Sequence, residues 1–262
     1  MLLKINAGKT IRLGDLVNPG DEHSVIIDTS IPASIGAVEG LLHFDEAVAQ
    51  INTICDGIVV NPGQLEHRAE LLGGAHRAAP MVRMDWTNYY RTEDFCLPAK
   101  MIHRVMISSV ADALDSGATA GVVRYLMGFN DEFEAENVRS ISLTAKEAYR
   151  ESLPIFVELC PIGEKVNQHN FEGTIQLGVA CMLEIGADGI IIPECSPAMM
   201  QAIGSWADIP VILRLSEIPG PEKLAAIFQA GLSGILLSEE IFRVQDYAAA
   251  LKELFFKVHT RS

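Results

Sequence analysis

The chain alternates short β-branched apolar runs with longer segments of helical spacing. The clearest run is Gly189-Ile-Ile-Ile192, entered from a helical stretch through Gly186-Ala187-Asp188 and closed by Pro193-Glu194-Cys195. A strand apolar on both faces fits a parallel sheet covered on both sides. Seven more runs, at residues 25–28, 57–60, 81–85, 121–125, 154–159, 210–214 and 234–237, have the same character. Helical spacing falls between them, at 44–55, 64–72, 109–116, 131–151, 173–185, 197–204 and 221–230, and a last helix at 247–258 closes the series. Eight βα units in regular order predict a closed (β/α)8 (TIM) barrel with a parallel sheet rather than the alternative, a doubly wound open sheet. The expected organisation is one domain over residues 1–262, with the barrel proper at about 25–258. Glycine recurs where helix turns into strand, as in Ser116-Gly117-Ala118, Ile185-Gly186-Ala187 and Gln229-Ala230-Gly231. There it reads as a helix C-cap, a structural and not a catalytic signal. Residues 86–98 read as a long polar loop carrying Tyr89, Tyr90 and Arg91.

Composition narrows the classes of partner. Acidic residues outnumber basic ones 34 to 20, for a net charge of −14. Nucleic acid and anionic membrane are therefore excluded as expected partners, since both need clustered Lys and Arg. No apolar run reaches the roughly 18 residues of a membrane span, and the Met1-Leu-Leu-Lys start lacks the apolar region of a signal peptide. The 5 cysteines are odd in number, and no two stand at the spacing of a zinc or redox pair. Reduced thiols in a cytoplasmic protein are the expectation.

In a barrel of this kind the working residues lie at the C-terminal ends of the strands. Those positions hold Asp28, Asp85, Arg124, Glu158, Cys160, Glu194, Arg214 and Glu239, with Asn61, Glu217 and Glu240 beside them. Glu158 stands out because it interrupts Ile155-Phe-Val-Glu-Leu159, and an unpaired buried carboxylate is costly. Asp28, Glu158, Cys160 and Lys165 are taken as the catalytic candidates. Asp85, Arg124, Glu194, Arg214 and Glu239 are taken as the substrate-binding ones. The excess of carboxylates points to an acid/base site or a cationic ligand. No resident cofactor is expected, the exception being a hard divalent cation such as Mg²⁺ held by Asp28, Asp85, Glu158 and Glu194. The plainer alternative is ordinary ion pairing with Arg124 and Arg214.

Several segments, taken in order, carry a resemblance. They are Val25-Ile-Ile-Asp28, Val110-Ala-Asp-Ala-Leu-Asp-Ser-Gly-Ala118, Leu153-Pro-Ile-Phe-Val157, Ile185-Gly-Ala-Asp188, Ile209-Pro-Val-Ile212 and Ile241-Phe242. Together the chain resembles the DeoC/LacD group of class I aldolases, especially the archaeal-type fructose-bisphosphate aldolases and the related autoinducer-processing thiolase. The resemblance implies a barrel, carbon–carbon lyase chemistry and a homo-oligomer. It also implies a Schiff-base lysine on the sixth barrel strand, where this chain has Ile191, with a further lysine position at Pro193. A Trp and a Tyr implied on the fifth strand are replaced by Glu158 and Cys160. The implied phosphate-holding glycines are replaced by Leu215-Ser216 and Ser238-Glu239-Glu240, and only Asp28 keeps the family pattern. The expected function is a divergent aldolase-like lyase acting on a small carbonyl or sugar-like substrate, with Lys165 or Lys100 standing in for the lost amine. Two alternatives stay open. One is a metal-assisted lyase or isomerase; the other is a catalytically silent homologue that binds a metabolite or a protein partner.

Overall fold

The computed structural model describes residues 6–260; residues 1–5, on which the signal-peptide expectation rests, lie outside them. The chain enters through helix α1 (Ala7–Leu16), capped by the Asn6 side chain, which accepts from the Lys9 N–H. Strand β1 (Ser24–Asp28) leads into the short helix α2 (Pro32–Ile35) and then α3 (Phe44–Ile51). Next come β2 (Gly57–Val60), α4 (Pro62–His67), α5 (Ala69–Leu72) and β3 (Ala79–Arg83). A hairpin of β4 (Asp85–Thr87) and β5 (Arg104–Met106) interrupts the alternation before α6 (Val110–Asp115). Four βα units follow: β6 (Ala120–Met127) with α7 (Asp131–Glu151), β7 (Ile155–Pro161) with α8 (Phe171–Ile185), β8 (Gly189–Ile192) with α9 (Pro197–Gly204), and β9 (Val211–Leu215) with α10 (Pro221–Gln229). Strand β10 (Gly234–Leu237), a 3-10 turn at Glu239–Arg243 and α11 (Tyr247–His259) finish the fold.

The eight strands other than the hairpin close in the order β1-β10-β9-β8-β7-β6-β3-β2, every pair parallel. This is the barrel expected from the sequence. Strand residues alternate between the lumen and the helical jacket. The lumen is filled by Ile26, Val59, Met81, Val122, Phe156, Ile191, Ile212 and Leu236, all buried. Gly189 makes room for Phe156: a Cβ at position 189 would stand 2.3 Å from its ring. The intervening residues, such as Val25, Ile27, Ile190 and Ile192, join the larger core under the helices. Leu13 and Leu16 of α1 pack on the lumen cluster from the N-terminal end, and Lys9 of the same helix pairs with Asp188 at 2.6 Å. At Gly186 the chain leaves α8 with φ +96°, the left-handed turn that a glycine C-cap supplies.

Three sequence expectations are corrected. The third strand ends at Arg83 and not at Asp85, because Met84 turns out of the barrel and its carbonyl accepts from the N–H groups of Ile107 and Ser108. The polar loop expected at 86–98 is rooted in the β4–β5 hairpin. The helix expected at 64–72 is two helices broken at Arg68. Helix α1 had no counterpart in the sequence reading.

Candidate active site

Two residues beyond the apolar layer, the same inward alternation places Asp28, Arg83, Arg124, Glu158 and Arg214 in one ring at the C-terminal mouth. Asp28 Oδ2 accepts from Arg83 Nη2 and from Arg214 Nη1, each at 3.0 Å. Its Oδ1 accepts from the Ser30 backbone N–H at 2.9 Å and the Ser30 hydroxyl at 2.6 Å. Glu158 lies between Arg83 Nη1 at 2.7 Å, Arg214 Nη1 at 3.1 Å and Arg124 Nε at 3.6 Å. Asp85, at the root of the hairpin, accepts from Arg104 Nε and the Arg124 backbone N–H, both at 2.6 Å, and from Arg124 Nη1 at 3.3 Å. Arg104 continues outward to the Ser140 hydroxyl on α7 at 2.6 Å. Arg214 Nη2 also faces Glu239 at a looser 3.5 Å.

The four arginines Arg83, Arg104, Arg124 and Arg214 balance the four carboxylates Asp28, Asp85, Glu158 and Glu239. Burial alone would drive the carboxyls of Asp28 and Glu158 up, but Arg83, Arg214 and Arg124 reverse this and hold both below the usual carboxylate range. At Asp85 the same contest is won by Arg104, Arg124 and Arg83. Glu239 goes the other way. Burial, then the charge of Asp28, pushes its carboxyl up, and Arg214 only partly offsets this. Arg83, Arg124, Asp28 and Glu158 are sealed from solvent, whereas the side chains of Arg214 and Glu239 remain 20% and 12% exposed. The network therefore has an ionised, buried base and a small open edge.

The hairpin roofs this edge. Trp86 Nε1 donates to the Ala33 carbonyl and Arg91 Nε to the Ser34 carbonyl, both at 2.8 Å, so the roof is tied to α2. Arg91 also lies over the rings of Trp86 and Phe95. Tyr90 is thereby carried over the mouth, its ring 5.6 Å from the Arg124 guanidinium and its phenol near the charges of Arg124, Glu158 and Arg214 and the thiol of Cys160. Burial pushes that phenol up to about 12, so it stays protonated. Tyr89 packs edge-on against Tyr90 at 5.2 Å.

Of the residues expected from sequence, Asp28, Asp85, Arg124, Glu158, Cys160, Arg214 and Glu239 do gather here. The Cys160 thiol, pushed up to about 12 by burial and then by Glu158, is a thiol and not a thiolate at neutral pH. Glu194 stands apart, exposed and paired with Lys223. Lys165 does too: it is exposed, and its hydrogen bond to Asp131 raises its pKa, the opposite of what an amine nucleophile needs. Lys100 is exposed. The four carboxylates proposed for Mg²⁺ do not converge, because Asp28, Asp85 and Glu158 spend their oxygens on guanidinium groups. Among the described residues no group of His, Cys, Asp and Glu is arranged to hold a metal ion. Sequence reading missed Arg83, Arg104, Ser30 and Tyr90. Arg83 was within reach: it follows Ala79 and Met81 in strict inward alternation.

The fold and mouth define the chain as a (β/α)8 barrel whose C-terminal face carries a charge-balanced arginine–carboxylate network. No protein-family model matches the sequence. Among solved structures, a Schiff-base-forming fructose-1,6-bisphosphate aldolase superposes with TM-score 0.77 at 18% identity, over 96% of this chain and 100% of that one. A fructose-bisphosphate aldolase from Slackia heliotrinireducens gives 0.77 at 14% identity over 99% and 89%. A protein of Corynebacterium glutamicum gives 0.71 at 18% over 99% and 94%. At such identities these likenesses establish the fold alone.

Proposed function

We propose that the mouth is a small-molecule site for aldolase-type carbon–carbon cleavage, or its reverse, run without a covalent amine. The observation that carries this reading is the open edge of the network. Arg214 and Glu239 are the two members of the ring that keep solvent access, and they differ in role. Arg214, held protonated by Glu158 and Asp28, is a fixed cation for a carbonyl oxygen on which negative charge develops. Glu239, whose carboxyl is raised by burial and by the charge of Asp28, is a base for the hydroxyl on the second carbon from that carbonyl. In cleavage, Glu239 takes the hydroxyl proton and a carbonyl forms on that half. The carbon–carbon bond breaks, and its electron pair passes to the oxygen held by Arg214 as an enolate. A proton from water then returns to carbon. The position that the aldolase resemblance assigns to the Schiff-base lysine is Ile191, buried in the apolar lumen, which is consistent with a non-covalent route. Cytoplasmic location and assembly into a homo-oligomer belong to the same proposal, and sedimentation velocity tests the latter.

The test is NMR of a panel of small hydroxy-ketones in D₂O, with parallel borohydride reduction. Exchange or cleavage is expected in the wild type, a fall of about 100-fold or more in Glu239→Gln, as for loss of a general base, and no borohydride-trapped adduct. A trapped adduct on Lys165 or Lys100 would replace the non-covalent route with an amine route. A second reading, a catalytically silent homologue that binds a metabolite, is favoured by one observation: the acceptors of Asp28 and Glu158 are already committed to arginines. Ligand-induced stabilisation without exchange or cleavage across the panel would establish it in place of the first.

A further inference from the structure

Two acceptors at the mouth make no hydrogen bond among the described residues. Glu239 Oε2 is buried and makes no hydrogen bond, its nearest cation being the loosely placed Arg214. Asn61 Oδ1 is also buried and without a partner. Its amide orientation is fixed, because Nδ2 donates to the Ser30 carbonyl at 2.9 Å. Asn61 follows β2 and Glu239 follows β10, and these are the two strands that flank β1 in the barrel. The orphan acceptors therefore bracket the end of β1, where Asp28 stands. Buried acceptors left without donors cost about 1–3 kcal/mol each, so this bracket is poised for a ligand that donates hydrogen bonds.

We infer that the mouth takes a substrate bearing a protonated primary amine next to its carbonyl, with the ammonium at Glu239 and the carbonyl oxygen at Arg214. This rests on the reading of the mouth as a carbonyl site and specifies its substrate class. An ammonium brings three donors and no acceptor, whereas a hydroxyl brings one donor and adds acceptors where acceptors are already in excess. Charge points the same way. The eight ionised groups of the network balance, Glu240 stands beside Glu239, and the whole chain carries −14. A phosphate would add two negative charges to that surrounding, while an ammonium adds one positive charge. The carboxyl of Glu239 is already destabilised as an anion by burial and by Asp28, and a cation beside it relieves that strain. The edge-on pair of Tyr89 and Tyr90 supplies aromatic surface, which also favours a cation over an anion.

The experiment is calorimetric titration of the full chain with three matched probes: aminoacetone, hydroxyacetone and hydroxyacetone phosphate. Aminoacetone is expected to bind at least about tenfold more tightly than hydroxyacetone, a difference of about 1.4 kcal/mol, and hydroxyacetone phosphate most weakly. Glu239→Gln is expected to bring the aminoacetone preference over hydroxyacetone down to about one. Asn61→Leu is expected to weaken aminoacetone alone. Equal or tighter binding of hydroxyacetone or its phosphate, no binding of aminoacetone at millimolar concentration, or a preference that survives Glu239→Gln would each overturn the inference. The wild-type comparison decides even if a variant fails to fold. The two proposals also fail separately. Aminoacetone preference without any carbon–carbon chemistry sinks the lyase reading and leaves this one. Cleavage of hydroxy-ketones without an ammonium preference does the reverse.

Discussion

Glu158 shows what a single residue decides in this molecule. Its side chain is almost wholly buried and touches Arg83, Arg124 and Arg214. Bringing charges out of water is expensive, and removing one partner leaves the others uncompensated, at a cost of about 3–5 kcal/mol. Glu158→Gln is therefore expected to lower the unfolding free energy by about 3 kcal/mol in urea titration, although the two side chains have nearly the same shape. A change under 0.5 kcal/mol would mean that the pairs contribute nothing. The oddity of Glu158 was legible in the sequence, because a carboxylate inside Ile-Phe-Val-Glu-Leu needs an explanation. Its main partner was not. Arg83 lay inside the expected strand, on the same face as Met81 and Asp85, but only the residue at the strand end was read as a mouth position, and that choice fell on Asp85. The acidic mouth inferred from the list of carboxylates was the consequence; with Arg83 and Arg104 counted, the mouth is neutral.

At the scale of elements, the barrel strands and the helices between them were readable because their patterns are local, whereas α1 and the short α2 were not read. Nor was the hairpin β4–β5. Its strands are joined by a connection running over residues 88–103, and no tight-turn signature marks it. What holds it is tertiary: Asp85 to Arg104 and Arg124, and Trp86 and Arg91 to α2. Helix α11 offers a cleaner test. Near its end, His259 Nδ1 meets Asp21 at 2.7 Å and Nε2 meets Asp56 at 3.1 Å, with Asn18 and the ring of Phe255 alongside. Burial disfavours the imidazolium, but the two aspartates outweigh it and the His259 pKa is raised. A group with a raised folded pKa stabilises fully below its unfolded value, about 6.5, and loses that contribution as pH climbs through the folded value. Stability is expected to decline over that alkaline-going window. The decline should flatten in His259→Gln, as followed by melting temperature at stepped pH. An unchanged slope in the variant would show that His259 is not the titrating group.

The whole molecule is a barrel sealed by apolar layers below and an ionic ring above. Ile191 sits between them, fully buried among Phe156, Ile212 and Leu236. Ile191→Lys would return an amine to the position that the aldolase resemblance assigns to the nucleophile. Here that amine would meet apolar neighbours and the guanidinium layer above, so the variant is expected to be destabilised by several kcal/mol. Its lysine should titrate well below its normal value, as measured by the pH dependence of unfolding. A variant as stable as the wild type, with a normal lysine, would show that the lumen admits water.

Helix α1 docks against parts of the chain that come much later in sequence. Asn6 donates to the Tyr149 carbonyl, Arg12 to the Ala118 carbonyl and Lys9 to Asp188, across separations of 143, 106 and 179 residues. On the ribosome, α1 emerges long before these partners exist. Until synthesis passes Asp188, the helix that will close the floor of the barrel has nothing to close, and its leucines wait in the open. The contacts that seat α1 can therefore form only late in synthesis, and until then its apolar face is open to capture by other chains.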